Sequence, residues 1–219
     1  MKIVLGYVLT FGWVFLMIGV AQALSKRIRG DEELSRKLIH VSVAFSWVPM
    51  ALCFGTSWHL IVPPAVFIVL NAISYQKNLF SAMERTDESK KSLGTVYYAI
   101  SMTVMAVWTT IMPECLPAYG AGLFCMALGD GFAPLTGQWK RGNRKLFGGR
   151  TLYGSLTVFA VSLLVVGVFA AVYALPLSFG ELLLTALAAA ALELVGVRGL
   201  DNLSLPLGVF LLVFLFALG

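Results

Sequence analysis

Eight stretches of the chain are almost uninterrupted apolar sequence: roughly 3–24, 38–54, 59–75, 93–112, 119–137, 152–175, 180–197 and 203–219. Each is close to the about 17–25 residues that a helix needs to cross a bilayer. None alternates apolar and polar positions as a barrel strand would. Short polar knots separate the stretches. Gly55–Trp58 is brief enough to make the second and third a tight helical hairpin, and Arg198-Gly199-Leu200-Asp201-Asn202 divides the last two. The longest connection, about 76–92, is charged and of mixed sign, with a candidate interfacial helix around Leu79–Met83. The pattern predicts an all-α, polytopic transmembrane bundle of seven to eight spanning helices. The whole of 1–219 forms one integral-membrane domain, without a soluble domain or an internal repeat.

Composition agrees. Of 219 residues, 59% are hydrophobic and only 12% charged, half the usual share for a soluble domain; mean hydropathy is +0.87. So few charges could not cover the surface of a water-soluble globule. Cys53, Cys115 and Cys125 are too few and too scattered for a disulfide framework or a zinc site and read as packing residues.

The net charge of +5 points to membrane topology rather than to nucleic acid, which is not an expected partner. With eight spans and the N-terminus outside, the inner loops hold all the Lys and Arg residues except Lys2. The positive-inside rule therefore sets a multi-pass orientation with four basic connections on the cytoplasmic side. Lys2, the apolar stretch and Ala21-Gln22-Ala23 also resemble a signal peptide. Cleavage there would leave the basic cluster at 26–37 outside, so the first stretch reads as a span.

Ionisable groups inside or at the ends of spans are functional candidates by default, and four constellations converge on the inner side. Arg36-Lys37-Leu38-Ile39-His40 opens the second span, and its cations share a helical face with His40. Two cations beside a histidine suit a phosphate. Asp130 lies about two turns before the inner end of its span, within Gly129-Asp130-Gly131-Phe132-Ala133-Pro134-Leu135-Thr136-Gly137. Glycines there serve close helix packing, but a carboxylate at that depth calls for a cation, and Mg²⁺ carrying a nucleotide is the natural one. The loop Gln138–Thr151 follows. It is basic and glycine-rich, with Lys145, Gly148, Gly149, Arg150 and Thr151 before a helix start able to receive phosphate. It is not a Walker A loop. Glu193 lies about a turn from the inner end of the seventh span; Asp201 and Asn202 stand at the break that follows. Asp201 read alone is equally well a helix N-cap.

These residues, in the order RKLIH at 36–40, SLGTVYY at 92–98, GDGFAPLTG at 129–137, RTLYGS at 150–155, and Glu193 followed by DNLSLP at 201–206, resemble the membrane-bound polyprenol and lipid-alcohol kinases: dolichol kinase, phytol kinase and CTP-dependent diacylglycerol kinase. The resemblance covers most of the chain beyond the first span. It implies transfer of the terminal phosphoryl group of a nucleoside triphosphate, CTP favoured, to the hydroxyl of a lipid alcohol drawn from the bilayer. It points to Arg36, Lys37, Asp130 and Gly137 as functional positions. The stretch 130–155, Gly154 included, would bind nucleotide, and Glu193, Asp201 and Asn202 would line the site. One position departs: the family's Lys-Thr/Ser-x-Glu-Gly reads Arg150-Thr151-Leu152-Tyr153-Gly154 here, so Tyr153 stands in place of a carboxylate.

The resulting expectation is a kinase in which Asp130 holds Mg²⁺ with Asp201 or Glu193. Arg36, Lys37, Lys145 and Arg150 neutralise phosphates, and His40 or a carboxylate receives the hydroxyl proton. Two rivals stand beside it: a phosphatidate cytidylyltransferase-like enzyme making a CDP-lipid, and a non-enzymatic small transporter or lipid-binding protein. The sequence leaves room for a homodimer.

Overall fold

The computed structural model describes residues 1–27, 32–77, 92–139 and 142–219, with the side chains of 25–27 and 32–34 also left aside. The region around Leu79–Met83, Lys140 and Arg141 lies outside the described residues.

Eight helical stretches follow the eight apolar ones: α1 (Lys2–Arg27), α2 (Glu32–Ala44) with α3 (Trp47–Phe54), α4 (Val62–Lys77), α5 (Gly94–Ile111), α6 (Leu116–Gly137), α7 (Leu152–Tyr173), α8 (Phe179–Val195) and α9 (Asp201–Ala217). Among the described residues there is no strand, only an isolated bridge between Lys145 and Thr151. The second expected span is divided: the helix begins earlier than position 38 and breaks at Phe45–Ser46 before resuming as α3. Four stretches are individually long and apolar enough to cross a membrane: Lys2–Leu24, Ser35–Phe54, Trp58–Lys77 and Leu152–Tyr173. α8 and α9 are shorter, at 17 residues each, and α9 is apolar as well.

α6 is the central helix, packed on α7, α9 and α2. Its glycines explain the closeness. A Cβ at Gly122 would lie 2.4 Å from the Pro206 carbonyl oxygen on α9, and one at Gly131 2.4 Å from Val41 Cγ2 on α2. In lipid, where burying apolar surface does not drive helices together, such small-residue contacts let dispersion hold them. A core of Met50, Met105, Tyr119, Leu123, Met126, Leu205 and Val209 is fully buried. Large apolar side chains also cover the outside, among them Leu16, Leu164, Val172 and Leu215. Large apolar side chains on the outside as well as in the core are consistent with an all-α helical membrane bundle.

One end of the bundle is tied by Tyr7 Oη to His59 Nδ1 at 2.7 Å and by the Ser178–Glu181 capping box that starts α8. The other end collects the connections that the sequence assigned to the inner side.

Candidate functional site

At that end, α2 contributes Arg36 and Lys37, the start of α5 contributes Ser92, α6 contributes Asp130, the 142–151 loop contributes Gly148, Gly149 and Arg150, and the α8–α9 turn contributes Gly196, Arg198, Gly199, Asp201 and Asn202. They line one polar cavity with about 1030 Å³ of atom-free space, its open mouth included.

Arg150 is the hub. Its Nη1 lies 2.9 Å from Glu193 Oε1 and 3.6 Å from Asp130 Oδ1, while Nη2 pairs with Asp201 Oδ2. Nη2 also reaches the Gly196 carbonyl oxygen at 3.4 Å. Three carboxylates from three helices thus meet one planar guanidinium, whose fork of donors can serve several oxygens at once. Burial alone would lower the Arg150 pKa, but the charges of Glu193, Asp201 and Asp130 more than offset this and hold it above the ordinary value. A second cation completes the cluster: Lys37 Nζ pairs with Asp130 Oδ2 and donates to the Asp130 carbonyl oxygen at 2.8 Å. His40 Nε2 stands 3.5 Å from the same Oδ2.

Local structure explains these placements. Lys37 and His40 are one turn apart on α2, and the contact at Gly131 lets α2 approach α6 closely enough for both to reach Asp130. Arg150 is set by a tight hairpin in which Leu146 N–H donates to the Arg150 carbonyl at 2.7 Å and Leu152 N–H to that of Arg144 at 2.9 Å. The α8–α9 turn depends on Gly199, whose φ of +86° few other residues tolerate. A Cβ there would also stand 2.7 Å from Gly94 Cα, so the turn rests directly against the start of α5.

Asp201 is not the N-cap of α9. It is the first helical residue, Leu200 precedes it without a side-chain cap, and its carboxylate is taken by Arg150.

Of the residues singled out from sequence, Arg36, Lys37, Asp130, Gly148, Gly149, Arg150, Asp201 and Asn202 line the cavity, with Glu193 against it through Arg150. Gly137, Lys145, Thr151 and Gly154 stand outside the lining and shape the loop instead. Thr151 caps α7 by accepting from Gly154 N–H at 3.2 Å, and the Gly137 carbonyl accepts from Asn143 at 2.9 Å. Lys145 is exposed in the bridge to Thr151. Tyr153 packs edge-on against Trp139, with ring centroids 6.2 Å apart. Ser92 and Arg198, which also line the cavity, fall within the stretches 92–98 and 193–206 expected to build the inner-face site, although neither is singled out by its own chemistry. Arg198 stands in the same polar knot as Asp201 and is one of the basic residues assigned to the inner side.

Among the described residues no group of three or more His, Cys, Asp or Glu side chains is arranged to hold a metal ion by itself. Oxygen donors are nonetheless present: Glu193 Oε2, Asp201 Oδ1 and Asn202 Oδ1 are buried without hydrogen-bond partners. Unused oxygen lone pairs on one or two carboxylates fit Mg²⁺, which takes the rest of its shell from water and phosphates.

No family model matches the chain, and no solved structure does. A phytol kinase from Synechocystis sp. is 31% identical over 205 residues, which cover 86% of this chain and 81% of the relative. On identity at that level across most of both chains, the chain belongs to the polyprenol and phytol kinase family.

Proposed function

We propose that this protein is a membrane-embedded lipid-alcohol kinase that transfers the terminal phosphoryl group of a nucleoside triphosphate, CTP favoured, to the hydroxyl of a polyprenol- or phytol-type alcohol. The observation that carries the reading is the polar cavity, which gathers Arg36, Lys37, Arg150 and Arg198 with Asp130 and Asp201 at one end of an otherwise apolar bundle. Phosphoryl transfer requires mainly positioning and neutralisation of phosphate charge, and this inventory provides both.

The alcohol oxygen bonds to the terminal phosphorus, the bond from that phosphorus to the bridging oxygen breaks, and the nucleoside diphosphate leaves. Arg36, Lys37, Arg150 and Arg198 neutralise the phosphates. His40, whose Nε2 lies 3.5 Å from Asp130 Oδ2, or a carboxylate of the cluster takes the hydroxyl proton. Asp130, Glu193, Asp201 and Asn202 are the residues that would hold Mg²⁺, which screens the charge building between the bridging and terminal phosphate oxygens. The positive-inside pattern puts the N-terminus outside and this cavity on the cytoplasmic face.

The test is the purified protein in lipid nanodiscs with CTP or ATP, with and without Mg²⁺, and a panel of lipid alcohols. The reading expects a lipid monophosphate and free nucleoside diphosphate, lost on chelation. Release of pyrophosphate would identify a cytidylyltransferase instead, and absence of any phosphorylated lipid would leave binding or transport.

A further inference from the structure

An apolar channel adjoins the polar cavity. It runs between α1, α2–α3, α4 and α5, and Arg36 and Asn202 line both spaces. From this shared mouth it passes His40 and Met102 and ends among Thr10, Met50 and Pro63. Arg36 to Met50 spans roughly 20 Å at the helical rise of about 1.5 Å per residue, some two-thirds of the about 30 Å hydrocarbon core. The channel holds about 720 Å³ of atom-free space, mouth included. That space is thin: Thr10, Val14 and Met50 are 1%, 2% and 0% exposed, so the far end is closed until the lining side chains part. A single chain, at carbon–carbon contacts of about 4 Å, asks less movement of these side chains than two chains abreast, which need about 8 Å. α1 and α4 barely touch along one side; there Phe67 meets Phe11 and Phe15, with centroids 5.6 and 6.0 Å apart.

We infer that this channel receives the hydrocarbon tail of a single-chain lipid alcohol. The tail enters from the bilayer through the Phe67 seam and lies with its hydroxyl at the Arg36–Asn202 mouth beside His40. The inference rests on the kinase reading for the identity of the head group, and it adds where the tail lies and what limits it. An apolar space continuous with a charged one matches an amphiphile with one polar end. His40 sits at the boundary, lining the channel while its Nε2 approaches Asp130 in the cavity. Thr10 and Met50 at the far end set the chain length, and a space this narrow takes one chain rather than the two of a diacylglycerol.

Wild-type protein in nanodiscs is photolabelled with a twenty-carbon isoprenoid alcohol carrying a diazirine at its tail end. Cross-links on the channel-facing side chains of Thr10, Met50 or Met102 are expected, whereas cross-links confined to outward-facing residues such as Leu164 or Leu215 overturn the inference. In parallel, Thr10→Phe should lower kcat/KM for the twenty-carbon alcohol about tenfold while a ten-carbon prenol changes less than about twofold. Met50→Ala should shift preference toward a thirty-carbon chain. Parallel losses for short and long alcohols, no change in either variant, or diacylglycerol phosphorylated as fast as the isoprenoid would each overturn it. If the wild type phosphorylates no alcohol at all, the kinase reading fails, and the position of the photolabel alone decides the channel.

Discussion

Replacing Arg150 by methionine removes the cation that three carboxylates share. Glu193 is 1% exposed and Asp130 and Asp201 are each 7% exposed at the side chain, whereas Arg150 keeps 27%. Lys37 is already committed to Asp130, so Glu193 and Asp201 would be left buried without a counter-charge. Breaking a buried pair from one side costs about 3–5 kcal/mol. The remaining access to the cavity puts the expected loss at the lower end, about 3 kcal/mol, or roughly a hundredfold in the folded-to-unfolded ratio. Arg150→Lys keeps the charge but cannot bridge three acceptors, and should lose about 1–2 kcal/mol. Adding Glu193→Gln to Arg150→Met removes one stranded charge and should recover about 1–2 kcal/mol. Unfolding followed by circular dichroism during denaturing-detergent titration measures these four proteins and Glu193→Gln alone. An Arg150→Met protein within about 0.5 kcal/mol of wild type, or a double variant whose loss is the sum of the single losses, would refute the hub argument.

Asp130→Asn should reduce kcat by about 10²–10³, read as lipid phosphate formed per minute; an unchanged rate would remove Asp130 from the chemistry. Gly122→Ala should cost about 1–3 kcal/mol through overpacking, because its Cβ would meet the Pro206 carbonyl oxygen at 2.4 Å. Gly167→Ala, with nothing within 4 Å of the added Cβ, should be neutral or stabilise by up to about 1 kcal/mol. The same detergent titration separates the two, and equal effects would contradict the packing assigned to α6.

The helices were legible because hydrocarbon solvent demands them. A spanning segment must satisfy every backbone group internally, so long apolar runs with polar interruptions already state the architecture. The chemistry was legible in part for a related reason: Asp130, Glu193 and His40 cannot be explained as lipid-facing residues, so each had to be paired inside. Asp201 was different, because an aspartate at a helix start fits a cap as well as a site, and only the approach of Arg150 decided between them. The break at Phe45–Ser46 had one signal, Pro49 four residues after Phe45, which has no N–H to donate to the Phe45 carbonyl. Thr151 matched a phosphate-binding loop by composition and Gly154 was implied by the family resemblance, yet the hydrogen bond between them closes the first turn of α7. Apolar length and the side of the charged loops are one-dimensional properties, readable along a chain. Which carboxylates share a cation, and which voids join, depends on how closely α2, α5, α7, α8 and α9 pack around α6, and that distance is set by side chains far apart in sequence.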